Sequence, residues 1–142
     1  MTATAISNVS FSNSLEARIS KSRLWSGRAL SALAILFMAM DGGMKLFKPP
    51  FVVQATIQLG YPETAIVGIG FALLISTLLY AIPRTAIFGA ILMTGYLGGA
   101  VASGVRIGAP MFNIVFPIVF GVIVWASLVM RNPRLERILF HS

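Results

Sequence analysis

The sequence predicts an all-α fold, a four-transmembrane-helix bundle with a short interfacial helix between spans one and two. Three observations carry that expectation. The chain is 57% hydrophobic and 11% charged, with a mean hydropathy of +0.87, far from the balance of a soluble domain. Its apolar residues fall into runs near the length of about 20 residues that crosses a bilayer as a helix. Charge, Pro or Gly bounds each run.

The first 23 residues, rich in Ser, Thr, Ala and Asn without sustained periodicity, are expected to form a disordered cytoplasmic tail. In the first span the uncharged run from Ala29 to Met40 is too short to cross alone. Extended from Leu24 to about Met44 it makes a full span, with Arg28 snorkelling at one end and Asp41 near the other. Ala39-Met40-Asp41 is not a small-x-small cleavage site and the polar lead is long, so a retained signal anchor is expected. Ser- and Arg-rich composition also fits an organelle transit peptide, the competing reading of this segment.

Between the first two spans, Pro50 can open a short helix and Gly60 can end it before Pro62 starts the next run. Such a helix would lie on the outer leaflet; the alternative is an irregular loop. The second span runs from Ala65 to Ile82, interrupted by Ser76, Thr77 and Tyr80. The third, Ala86 to Val105, contains Thr94, Tyr96 and Ser103. The fourth, Met111 to Met130, carries Asn113, Pro117 and Ser127, and Pro117 deprives the Asn113 carbonyl of its helical donor, which predicts a kink.

Orientation follows from the basic residues. A cytoplasmic N-terminus places Arg18, Lys21, Arg23, Arg28, Arg84, Arg131, Arg134 and Arg137 inside and Lys45, Lys48 and Arg106 outside, eight of the eleven basic residues against three. The positive-inside bias favours both termini in the cytoplasm, as in a bacterial cytoplasmic membrane. Trp25, Tyr80 and Trp125 are then expected at the inner interface as an aromatic belt.

Chemistry-bearing residues are few. Cysteine is absent, which excludes disulfides and thiolate metal sites, and one histidine, His141, cannot build a metal or haem site in a single chain. No basic stripe interleaved with aromatics points to nucleic acid. The run GYLGGAVASGVR lacks the strand, Lys and Ser/Thr of a phosphate loop. Gly95 and Gly99 form GxxxG within a span, and with Ala102 and Arg106 they occupy a narrow sector of the helix, so they are expected to pack against a neighbouring helix. Arg106 at the end of that sector needs a carboxylate if buried. Asp41 and Glu63 are the acids on that side, and Asp41, Lys45 and Arg106 are expected to form one polar cluster. Glu63 alternatively serves as a first-turn acid. Tyr96 needs a partner for its phenol, in a ligand pocket or in another helix. No residues are assigned to catalysis or to metal binding.

DGGMKLFKPP, LLYAIPRTAIFGAILMTGYLGGAVASGVRIGAP and VWASLVMRNPRLERIL together resemble the DoxX-like family of small integral membrane proteins, over roughly Leu24 to Leu139. The resemblance implies a four-helix membrane domain at 24–139 and an association with membrane redox complexes and thiol stress. It carries no catalytic mechanism. Relatives often bear an acid early in the second span, where this chain has Phe71, Leu73 and Leu74, and a His before the third span's Arg, where Gly104 stands. Both departures count against a proton relay or haem. Two functions stay open. One is a non-enzymatic membrane component binding a partner protein or lipid. The other is an accessory subunit of a redox complex that holds a quinone through Arg106, Asp41, Lys45 and Tyr96. A transporter has little support without a midplane acid.

Overall fold

A computed structural model describes residues 2–140 of the chain, and of residues 16–20 the backbone only. His141 lies outside the described residues. Helix α1 runs from Thr2 to Phe47, α2 from Pro50 to Gln58, α3 from Ala65 to Ala81, α4 from Ala86 to Arg106, α5 from Met111 to Arg131 and α6 from Pro133 to Phe140. No strand occurs among the described residues. The fold is all-α. By length and composition 21–47, 86–106 and 111–131 can cross a membrane, whereas α3 is equally apolar but only 17 residues long.

Helices α1, α3, α4 and α5 close a ring in which each packs on its chain neighbour and α1 returns to α5. The α1–α3 contact is close because Gly42 and Gly70 face each other: a Cβ on Gly70 would stand 3.0 Å from the Gly42 carbonyl oxygen, and one on Gly42 2.9 Å from Leu74. Between α1 and α5, Phe37 stacks on Phe116 and Phe120 with ring centroids 5.5 and 4.7 Å apart. At the α3–α4 turn, Gly89 lies against the Tyr80 backbone.

Polarity is arranged inside out. Ser31, Ser76, Thr77, Ser103 and Ser127 are buried, while Leu36, Phe71, Ile75, Leu78, Phe88, Phe112 and Val122 are exposed. Several buried hydroxyls donate to their own helix, as Ser76 Oγ does to the Ala72 carbonyl (2.6 Å) and Thr77 Oγ1 to that of Leu73 (2.7 Å), so they are satisfied in a dry interior. An apolar exterior of this extent belongs in hydrocarbon.

Helix α2 lies where Pro50 and Gly60 place it. Its end is a Schellman motif: Gly60, at φ +89°, donates to Ile57 (2.9 Å) and Tyr61 donates to Thr56 (3.2 Å). Helix α4 ends the same way, on Gly108 at φ +66°, with Ala109 donating to Gly104 (2.9 Å). Two elements differ from expectation. No helix was expected before Leu24, but the 1–23 segment is helical from Thr2, continuous with the first span. It holds no Pro, and the first Gly is Gly27, so nothing in it breaks a helix, and Ser7, Ser12 and Ser14 turn their hydroxyls back onto carbonyls three residues earlier. Helix α6, not expected as a separate element, starts at Pro133, with Asn132 Oδ1 accepting from the Arg134 backbone N–H (3.2 Å). An Arg23–Glu136 ion pair at 2.8 Å fastens it to α1.

Candidate functional site at the α2 end of the bundle

At the α2 end, α1 presents Asp41 and Lys45 one turn apart, which brings their side chains to one face. Lys45 Nζ donates to Asp41 Oδ1 at 2.6 Å. From across the ring, Tyr96 on α4 donates its hydroxyl to Asp41 Oδ2 at 2.8 Å. The ammonium also lies 5.7 Å from the Tyr96 ring centroid, within cation–π range. Both carboxylate oxygens of Asp41 are thereby occupied. Lys45 is only 12% exposed and Asp41 30%, so the pair is partly desolvated and its hydrogen bonds count for more than those of a surface pair.

The cluster walls a cavity of about 200 Å³ lined by Lys45, Tyr96, Gly95, Gly99, Tyr61 and Ser103, among others. Tyr61 and Ser103 share a hydrogen bond of 2.9 Å between their hydroxyls, which pins the chain after α2 to α4. The polar atoms stand in a mostly apolar wall that includes Leu59, Ile69 and Ala100, the composition of a site for an amphipathic molecule. Among the described residues, no three of His, Cys, Asp and Glu converge on a metal position.

Three expectations for this site need correction. Arg106 does not join Asp41 and Lys45: its Nη2 donates to the Leu59 carbonyl at 2.6 Å, at the C-terminus of α2. Ten residues of helix separate Arg106 from Tyr96, about 15 Å at 1.5 Å per residue, so the guanidinium lies beyond the reach of Asp41. It caps the negative end of α2 instead. Glu63 also stays apart, exposed and 3.9 Å from Lys48 Nζ. Gly95 and Gly99 do not seat a neighbouring helix of this chain. A Cβ at either position meets no atom within 4 Å, both are exposed, and so is Ala102. Each helix of the ring already has two neighbours, and Gly95 and Gly99 border the open cavity instead of packing directly on either.

A second polar knot, which sequence reasoning missed, lies near the other end. Tyr80, fully buried on α3, donates to the Val124 carbonyl at 3.0 Å, is bonded to the Ser127 hydroxyl on α5, and lies 3.3 Å from Ser31 Oγ on α1. It therefore does not sit in an interfacial belt. Trp125 is half-buried and donates from Nε1 to Thr94 Oγ1 on α4 at 2.8 Å in an exposed bond, whereas Trp25 is exposed. The spacing of Ser31, Tyr80 and Ser127, each about one turn or two from its span's basic end, was the available signal.

The DoxX-like family model matches residues 29–127. The chain belongs to the DoxX-like family. This DoxX-like chain is matched from Ala29 on α1 to Ser127 on α5, so α3 and α4 in full, parts of α1 and α5, and both polar knots fall within the family region. With its apolar exterior, the DoxX-like protein is a membrane protein. No curated protein and no solved structure matches the chain.

Proposed function

We propose that this DoxX-like protein crosses the membrane four times, α3 included, with both termini on the cytoplasmic side, and acts as a non-enzymatic component that holds a lipid at the α2 end. The cavity beside Lys45 and Tyr96 is the observation that carries this reading. Its apolar wall suits an acyl chain or an isoprenoid segment, and its polar rim suits an ester, hydroxyl or carbonyl oxygen. Each oxygen of Asp41 already holds a donor, Lys45 or Tyr96, which argues against a free base, and among the described residues the site lacks a nucleophile with an adjacent base. The exposed Gly95, Gly99 and Ala102 sector next to it would let a partner membrane helix approach once the site is filled.

A quinone held for a neighbouring redox complex is the second reading. It is favoured by the two phenols, Tyr61 and Tyr96, lining one cavity together with Lys45, donors that could meet a quinone oxygen. Arg106, engaged with α2, has no part in it.

Filling the cavity tests both. A side chain at Gly99 meets nothing within 4 Å, so Gly99→Leu is expected to fold while occupying the ligand volume. Native mass spectrometry of protein extracted in its own lipid should show a bound lipid or quinone mass in the wild type and its loss in Gly99→Leu. A wild-type protein that emerges without any bound small molecule defeats the reading, and the identity of the mass separates lipid from quinone.

A further inference from the structure

The opposite end of the bundle holds a cationic cavity that the α2-end site does not use. It has a volume of about 300 Å³ and is lined by Leu24, Arg28, Pro83, Ala86, Leu128, Arg131 and Asn132. Among the described residues, two arginines and no acid border it. Arg131, the last residue of α5, lays its guanidinium over the Tyr80 ring, 5.1 Å from the centroid. Its Nε and Nη2 are buried, and among the described residues neither has a hydrogen-bond partner. These two nitrogens form the side-on edge of the guanidinium, the fork that receives two oxygens of an oxyanion in parallel.

The local backbone holds that fork in place. Gly27 on α1 lets α5 approach so closely that an added Cβ would stand 2.9 Å from Met130 Cβ and 3.2 Å from Arg131 Cγ. The Arg131 side chain is thus held between α1 and the Tyr80 ring. Buried charged donors without acceptors are costly, and in folded proteins such groups are normally paired. A second cation, the exposed Arg28, borders the same cavity, where it can supply a further donor from another side.

We propose that the Arg28–Arg131 cavity binds a phosphate group. A carboxylate would spend both oxygens on the Arg131 fork, whereas phosphate retains oxygens for Arg28. The source is a phospholipid headgroup or a free phosphate, and both present the same oxyanion. Basic pockets between membrane helices at an arginine-rich end are suited to anionic headgroups.

The test uses the full chain purified in a neutral detergent. Binding of phosphatidylglycerol, of phosphatidylcholine and of inorganic phosphate is titrated separately by native mass spectrometry. Saturable binding of phosphatidylglycerol that exceeds that of phosphatidylcholine marks a headgroup site, and saturable binding of inorganic phosphate alone marks a free-phosphate site. In either case Arg131→Gln is expected to weaken binding about tenfold or more, and Arg131→Lys to restore only part, since it keeps the charge but loses the fork. Arg131 also packs on Tyr80, so Arg28→Gln, an exposed change, serves as the variant that leaves the fold intact and is expected to weaken binding severalfold. No saturable binding of any probe, or affinities that Arg28→Gln leaves unchanged, would overturn the proposal.

Discussion

An added methyl group at Gly89 meets the backbone nitrogen and Cα of Tyr80, whereas one at Gly95, Gly98 or Gly99 meets nothing within 4 Å. Because the obstacle at Gly89 is main chain, it cannot swing aside as a side chain would. Gly89→Ala is therefore expected to destabilise the protein by about 1–3 kcal/mol, the usual range for overpacking, while Gly95→Ala, in open space in the middle of α4, leaves stability equal or slightly raised; thermal unfolding in detergent distinguishes them. Tyr96 gives a second residue-scale expectation. Tyr96→Phe leaves Asp41 Oδ2 without its donor, and loss of a hydrogen bond to a charged group costs about 1.5–3 kcal/mol in soluble proteins. Interhelical hydrogen bonds in a membrane protein average about 0.6 kcal/mol. With Lys45 still on the other carboxylate oxygen, the smaller figure should govern, and a loss near 0.5–1 kcal/mol is expected; no measurable change on unfolding would show that the bond carries no stability. Asp41, Lys45 and Tyr96 were legible as polar residues needing partners. The Asp41–Lys45 pair was legible from its i,i+4 spacing, but the Tyr96–Asp41 bond was not, because a bond across the ring depends on which helices are diagonal, and sequence spacing carries no diagonal. The glycines misled for a related reason: GxxxG identifies a smooth sector, not the neighbour it faces, and the closest helix approaches here use Gly27, Gly42, Gly70 and Gly89.

At the scale of elements, α2 is the least supported helix, nine residues with few contacts to the bundle, of which Val52 and Thr56 are buried. Two side-chain contacts hold its C-terminal end: Arg106 to the Leu59 carbonyl, and Tyr61 to Ser103. A cation at a helix C-terminus contributes about 0.3–1 kcal/mol. Arg106→Ala should accordingly raise amide exchange at the end of α2 by about two- to fivefold, with the core of α4 unaffected; equal protection in both proteins would remove Arg106 as the cap. This helix was readable in advance because Pro50 and Gly60 punctuate it chemically. Helix boundaries set by packing were less so. The N-terminal segment has no hydrophobic stripe that would have announced a helix, yet nothing in it opposes continuation of α1 once the span has nucleated the helical turn, since propagation is cheap where nucleation is not. Helix α6 is short, and its Asn-Pro start reads equally well as a simple stop for α5.

For the whole molecule, the two tyrosine knots give the ring its cross-braces. Tyr96 reaches from α4 to Asp41 on α1, and Tyr80 from α3 to Ser127 on α5, so each diagonal of the four-helix ring is tied once, at opposite ends. Braces of this kind require all four helices to lie side by side in one ring, which bears on whether α3 crosses the membrane. At 1.5 Å per residue its 17 residues measure about 25 Å, a little less than the roughly 30 Å of hydrocarbon. A shortfall of that size is met by local thinning of the bilayer at a small cost, far less than exposing the α3 backbone ends to lipid. Four crossings put the N-terminus and α6 on one side, together with eight of the eleven basic residues; three crossings would separate them. Single cysteines introduced near the N-terminus, after Glu63 and after Arg134 into this cysteine-free chain allow a direct measurement. With a membrane-impermeant maleimide on intact cells, the cysteine after Glu63 should label, and the other two should label only after permeabilisation. Labelling of one terminus but not the other in intact cells would mean that α3 does not cross, and the cross-braced ring would then have to be reconsidered as a three-span arrangement.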